Sequence, residues 1–375
     1  MQRTHAVQYG VSTLSDYDIF LFKQGTHYTL YDKMGAQKHT AEDGTEGIAF
    51  SVWAPNARTV SVVGDFNGWD PEAHPLAARW LLIVNDGSKD ETSTIGHQFA
   101  ADYPQVVRVI DKENGGHGST VNAGIEAARG KYFKVVDADD WVDTQAFDAL
   151  LDYLAGVDDD LVVSPYTKVY VDSNQEELHH EFQGVTPEHH YTFDELLNIT
   201  QHTLGMHTMT IKSSILRDNA VRLGEKMFYV DMEYITYPMP YIETVSLFDA
   251  PIYRYRLGSV GQSVSLESYL KNRVMHQNVI YRLVSFYQTG KLKGIRAQVV
   301  KAQIQRMINL QVRLYLMLPD TRQGKKELLA FEATLAPDFK RQAPSKLVYV
   351  LRLSRYRLFG LLHHYLKRFK NTRTN

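Results

Sequence analysis

Cysteine is absent from this 375-residue sequence, which excludes both a disulfide framework and a thiolate metal site. Long apolar runs are absent too: no window approaches the roughly 18–20 apolar residues that span a bilayer. The opening MQRTHAVQYG lacks the apolar stretch of a secretion signal, so a cytoplasmic protein is the expectation. Net charge is nearly missing, at −2, which argues against a general nucleic-acid binder. That small sum hides a local absence. From Arg341 to the end there are nine Lys or Arg and no Asp or Glu, so the tail is basic and the body mildly acidic. Internal repeats and low-complexity tracts are lacking as well.

What is present is an ordinary globular composition, 44% apolar and 22% charged, over a length that suggests two or three domains. Residues 1–76 are rich in Gly, Asp and aromatics. Runs at 48–52 and 59–63, bounded by Asp43-Gly44, Pro55-Asn56 and Asn67-Gly68, read as strands of a partial β-sandwich. Residues 80–265 change character. Short β-branched runs at 81–84, 106–110, 132–136 and 161–164 alternate with helical patterns at 119–129 and 144–155. Such alternation predicts an α/β fold with a mostly parallel sheet. From 266 to 375 the pattern is helical, with apolar residues at three- and four-residue steps over 266–287, 295–317 and 348–369.

Open α/β sheets bind ligands at the carboxyl ends of their strands, and acidic residues fall there. Asp86 follows the first run in VNDGSKDET; Asp137, Asp139 and Asp140 follow the third in KYFKVVDADDWVD. Carboxylates at alternate positions can hold a divalent cation, which neutralises a diphosphate. A lone strand-end Asp is as readily a turn former or helix cap, so the weight lies in the order of the whole set.

The stretch LLIVNDGSKDETS, followed by ENGGHGSTVNAGIEAARGKYFKVVDADDWVD, resembles glycosyltransferase family 2, inverting enzymes of the Rossmann-like GT-A fold. The resemblance implies a nucleotide diphosphate-sugar donor, UDP-linked, and Mg2+ or Mn2+. By matching position, Asp86 meets the nucleotide base, Asp137 the ribose and sugar, and Asp139 the metal. Asn114, Gly115 and Gly116 match the glycine-rich segment before a helix; His117 is a candidate phosphate contact, though a surface or packed histidine is the more ordinary reading. In MFYVDMEYITYPMPYI, Asp231 matches the catalytic base, with Glu233 as the fallback. Arg254 and Arg256, ahead of GQSVS, match the segment that closes over the diphosphate; the alternating Tyr and Arg here are also consistent with an edge strand having one polar face. The acceptor implied is a glycan or lipid-linked molecule of polysaccharide or cell-envelope synthesis.

LSDYDIFLFKQGTHYTLYDKMGA and FSVWAPNARTVSVVGDFNGWDPEAHPL resemble the N-terminal part of an α-glucan branching enzyme, the second piece being the start of a family-48 carbohydrate-binding module. This implies weak α-glucan binding, with Trp69 as a stacking aromatic or as a packing residue. Neither resemblance is complete at the junction. The transferase lacks the strand and helix that should precede LLIVNDGS, and 59–63 is the candidate to fill the strand's place. A catalytically impaired fusion with glucan-binding or scaffolding properties is therefore the alternative expectation. Branching activity is not expected, since the catalytic barrel is missing. The stretch 349–369 predicts a basic amphipathic helix, either packed on the body or resting on the inner face of the cell membrane.

Overall fold

The structure, a computed structural model, describes residues 35–40, 46–51, 81–104, 106–173, 175–258 and 265–371. Both Trp69 and the 59–63 run lie outside the described residues. Strands β1 (Gly35–Thr40) and β2 (Glu46–Ser51) form an antiparallel hairpin, from Gly35 opposite Ser51 to Thr40 opposite Glu46.

Strand β3 (Leu81–Asn85), helix α1 (Thr92–Asp102) and β4 (Val107–Asp111) follow one another, and the two strands pair in parallel with Asn85 level with Asp111. This is the strand–helix–strand unit that the alternation predicts. Gly96 lets α1 lie close over Ile83 and Val109. Helix α2 (His117–Ala127) follows, and its Gly124 faces Phe133 of β5 (Tyr132–Phe133). The predicted strand 132–136 is thus paired only over its first two residues among the described ones. Strand β6 (Trp141–Val142) leads into α3 (Thr144–Gly156), whose N-terminus is capped by Asp143 accepting from the Ala146 amide at 3.0 Å.

The centre is β7 (Leu161–Val163), wholly buried as a continuous apolar run should be. Then come β8 (Tyr166–Tyr170), β9 (Gln175–His179), β10 (His190–Thr192) and α4 (Phe193–Thr200), the last opened by a Thr192–Glu195 capping box. Strand β11 (Met209–Lys212), α5 (Ser213–Asp218), α6 (Asp231–Thr236), β12 (Thr244–Leu247) and β13 (Tyr253–Leu257) complete this part. The strands assemble as a five-stranded sheet in the order β10-β12-β7-β11-β5 and a four-stranded sheet in the order β6-β13-β8-β9. Strand directions are more mixed than the alternation implies. Pairing of β12 with β7 and of β13 with β8 is parallel, but β11 runs antiparallel to both β7 and β5. The long excursion between β7 and β11 reverses the chain without a simple crossover helix. Nor is β13 an edge strand, since it lies between β6 and β8.

The helical end consists of α7 (Leu266–Lys271), α8 (Arg273–Gln288), α9 (Gly294–Met317), α10 (Thr321–Thr334), α11 (Pro337–Arg341), α12 (Lys346–Leu353) and α13 (Phe359–Asn371). Two predicted helices are each broken. Asn272 separates α7 from α8, and left-handed Arg355 and Tyr356 separate α12 from α13. One apolar cluster joins these helices to the sheet: Val279, Leu283, Ile304 and Ile308 pack in the same core as Leu161, Ile211 and Val245.

Candidate active site

The turn after β3 carries Asp86. Gly87 has φ +71°, and a Cβ there would stand 3.0 Å from the Asn114 amide nitrogen, so the position requires glycine. The Asp86 carboxylate accepts from Lys112 Nζ at 2.6 Å, the Gly115 and Gly116 amides at 2.9 and 2.7 Å, and Ser119 Oγ at 3.2 Å. Asn114 Nδ2 donates to the Asp86 carbonyl at 3.0 Å. Burial would raise this carboxyl, but Lys112 and the two amides hold it below the ordinary carboxylate range. The Gly115 and Gly116 amides are therefore taken by Asp86, which knits the glycine turn to the strand tip.

His117, the first residue of α2, comes next, with Nε2 3.1 Å from Asp137 Oδ1. One turn thus touches both acidic tips, Asp86 through Gly116 and Asp137 through His117, and sets them at a single crevice. Asp137, Asp140 and His207 converge there, their ligand atoms all within 4.8 Å of one another. Asp139 is exposed on the same loop and stays outside that trio. Tyr253 Oη donates to Asp140 Oδ2 at 2.6 Å and accepts from the Asp137 amide at 3.1 Å, while the Arg256 amide donates to Asp140 Oδ1 at 2.7 Å. His207 stacks on Tyr255, centroids 4.4 Å apart, and Lys134 Nζ donates to the His207 carbonyl at 2.9 Å.

Burial, with Asp139 and Asp137 adding, pushes the Asp140 carboxyl up to about 6. Burial, with Lys134 adding, brings the His207 imidazole down to about 4, so it is neutral at physiological pH. Burial alone would lower His117, yet the Asp137 carboxylate, with Asp231 and Asp139 nearby, raises it. Two carboxylates and a neutral imidazole, with acids that resist joint ionisation, suit a divalent cation of the Mn2+ type.

Asp231 opens α6 at the end of a loop that includes left-handed Lys226 and Tyr229. Helix α2 holds the start of this loop. The Lys226 amide donates to the Gly115 carbonyl at 2.5 Å, Asn122 bonds the Leu223 backbone, and a Cβ on Gly118 would run into the Gly224 carbonyl. The Tyr229 ring stacks on Tyr269 of α7 at 4.6 Å and 5°. Burial raises the Asp231 carboxyl, as does Asp137, while His117 opposes the rise. Glu233, the fallback base, is wholly buried and occupied. It accepts from the Gly224 amide at 2.6 Å and pairs with Arg282 of α8. Its task is structural.

The β13 arginine side chains have partners that lie away from the acids of the crevice. Alternate residues of a strand face opposite sides, and the tyrosines take the crevice. Arg254 pairs instead with Asp143 at 3.0 Å and Glu176 at 2.8 Å, away from the acids. Arg256 reaches Asp140 only through its amide, its guanidinium lying 5.2 Å from the Trp141 ring centroid. Sequence reasoning missed Tyr253, Tyr255, His207 and Lys134. The two-residue period of Tyr253–Leu257 announced two faces without saying which was inward, and nothing local distinguishes His207.

Residues 80–218 match the family model described as Glycosyl transferase family 2, and residues 33–109 match Carbohydrate-binding module 48 (Isoamylase N-terminal domain). The two overlap between 80 and 109, the stretch that contains the parallel β3–β4 pair. Curated relatives include the 1,4-alpha-glucan branching enzymes of Thermosynechococcus vestitus, 56% identical over 75 residues, and Bradyrhizobium diazoefficiens, 58% over 96 residues. These matches cover 19% and 23% of this chain but only 10% and 13% of the relatives' own length. Among solved structures, S. aureus TarS 1-349 in complex with UDP-GlcNAc aligns over 78% of this chain and 83% of its own, at TM-score 0.55 and 16% identity. S. aureus TarS aligns over 76% of this chain and 48% of its own, at TM-score 0.52 and 17% identity. At such identity the likeness is one of fold. Residues 80–218 thus match the glycosyltransferase family 2 model, the chain shares its fold with the TarS structures, and residues 33–109 match a carbohydrate-binding module.

Proposed function

We propose that this chain transfers a sugar, with inversion, from a UDP-linked donor to a hydroxyl of a glycan or lipid-linked acceptor. The observation that carries the proposal is the convergence of Asp137, Asp140 and His207 in one crevice with His117, within the electrostatic reach of Asp231. The donor class is supported by the UDP-GlcNAc complex of the TarS fragment. Asp137, Asp140 and His207 would hold Mn2+ or Mg2+, with Asp139 free to assist; when bound, the cation neutralises the departing diphosphate. Tyr253 fixes the Asp140 carboxylate and Tyr255 fixes the His207 ring. Asp231 takes the acceptor hydroxyl proton as that oxygen bonds the anomeric carbon and the bond to the nucleotide diphosphate breaks. A raised Asp231 pKa suits a base, because it strengthens the carboxylate's affinity for a proton.

Asp231→Asn should lower transfer by about a thousandfold or more while leaving UDP binding in Mn2+ unchanged by calorimetry. Retained turnover refutes the base assignment. The second reading is a catalytically impaired fusion that keeps weak α-glucan binding through the module segment, Trp69 included. It is favoured by the β3–β4 pair, which among the described strands stands apart from the main sheet. UDP titration that gives no heat, alongside retained binding to soluble α-glucan, would select it.

A further inference from the structure

Helices α12 and α13 use one side for the core. Val348, Leu351 and Phe359 are buried against the body, and His363 Nδ1 lies 2.7 Å from the Leu316 carbonyl. The seat of this packing is fixed by Arg352, which pairs with Glu332 and donates to the Lys340 and Gln342 carbonyls at 2.9 and 3.0 Å. A helix that packs in this way normally turns polar residues outward. Here the outward side is apolar as well. Leu353 and Leu361 are each 71% exposed, Tyr349 58% and Tyr365 57%, forming one i,i+4 pair on each helix. The basic residues Lys346, Arg355 and Arg357 are exposed among them. Beyond Arg341 the sequence has no acid to balance them. Single exposed leucines are ordinary; an exposed apolar pair on each of two consecutive helices, with one sign of charge, marks a binding surface.

We infer that this outward side of α12 and α13 rests on an anionic lipid bilayer. Charge complementarity selects the occupant. Arginine and lysine are drawn to acidic headgroups, and the leucines and tyrosines enter the headgroup–acyl boundary beside them. A polyanion in water would use the cations and leave the leucines exposed; a second copy of this chain would bring the same positive charge to the contact. Among the described residues no helix is long and apolar enough to cross a membrane, so the contact is peripheral. It would set the protein at a lipid surface whether or not the transferase reading holds.

The test is co-sedimentation of the full chain with vesicles of phosphatidylcholine alone and of phosphatidylcholine mixed with phosphatidylglycerol. The expected result is binding to the mixed vesicles only, weakened by salt. The double variant Leu353→Ser, Leu361→Ser should bind at least about tenfold less, since each leucine loses several buried methylene-equivalents. Its melting temperature should be unchanged, because both side chains are exposed. Lys346→Glu with Arg357→Glu should abolish the preference for the anionic lipid. Equal sedimentation of wild type and leucine variant overturns the inference, and so does absence of binding by the wild type. Concentration-dependent self-association that the leucine variant removes, without vesicle binding, would assign the face to a second copy and also overturn it.

Discussion

The two sides of the crevice are built differently. The donor side, β3 with α1, β4 and the glycine turn, is short-range: Asp86 finds Lys112, Gly115, Gly116 and Ser119 within 33 residues. It is thin, with Leu81, Ile95, Phe99 and Tyr103 each at least half exposed. The base side is long-range and deep. Asp231 is placed by α2, α6, α7 and α8 together, over a core in which Leu161, Ile211 and Val245 are fully buried. Local motifs can therefore persist on a weakly packed support, whereas the placement of Asp231 depends on the integrity of the whole core.

The largest effect expected from this contrast is on stability. Leu161→Ala, on the base side, should cost about 3 kcal/mol by the loss of buried methyl groups and the cavity left behind. Leu81→Ala, 55% exposed on the donor side, should cost less than about 0.5 kcal/mol. Urea unfolding of the two variants measures both. Similar losses would mean that the donor side shares the core fully and that the contrast is unreal. A third variant sharpens the point. Glu233→Gln leaves Arg282 without its charge partner and weakens the bond from the Gly224 amide, and should cost about 2 kcal/mol, Arg282 being partly solvated.

The next effect is on metal affinity. His207→Ala removes the imidazole from the trio and should weaken Mn2+ binding by about 10- to 100-fold, measured by electron paramagnetic resonance titration. Asp139→Ala should weaken it less. The reverse order would make Asp139, the residue that the family resemblance matches to the metal, the principal ligand.

The donor side was legible because its chemistry is local. A strand tip, two glycines and a helix start appear in order along the chain, and the turn they make needs no distant partner. Asp137 and Asp231 each sit in a recognisable string, and the fold brings them within electrostatic reach of one another. His207 was not legible, because it meets Asp137 only after the chain has passed through β8, β9, β10 and α4. Arg254 was misread because a strand's alternation gives two faces and only tertiary packing decides which turns inward. Likewise the α12–α13 break depends on two non-glycine residues in left-handed conformation, Arg355 and Tyr356, which helical periodicity does not announce.

The smallest effect is a pH-dependent one, and it separates stability from binding within the crevice itself. Asp140 has a folded-state pKa of about 6 against an ordinary value near 3.8, because burial and its acidic neighbours disfavour the charge. A carboxyl raised in the folded state destabilises that state as pH climbs from the unfolded value through the folded one; below both values it has no effect. Asp140→Asn should therefore stabilise the metal-free protein by about 1–2 kcal/mol above pH 6 or so, and leave it unchanged near pH 4. Excess Mn2+ should reverse the ranking, since the wild type gains stability by binding the cation and the variant gains less. Melting curves at both pH values, with and without Mn2+, make the comparison. If Asp140→Asn were destabilising at high pH in the absence of metal, the hydrogen bonds from Tyr253 and the Arg256 amide would outweigh the repulsion, and the crevice would be organised for an empty state rather than for a cation.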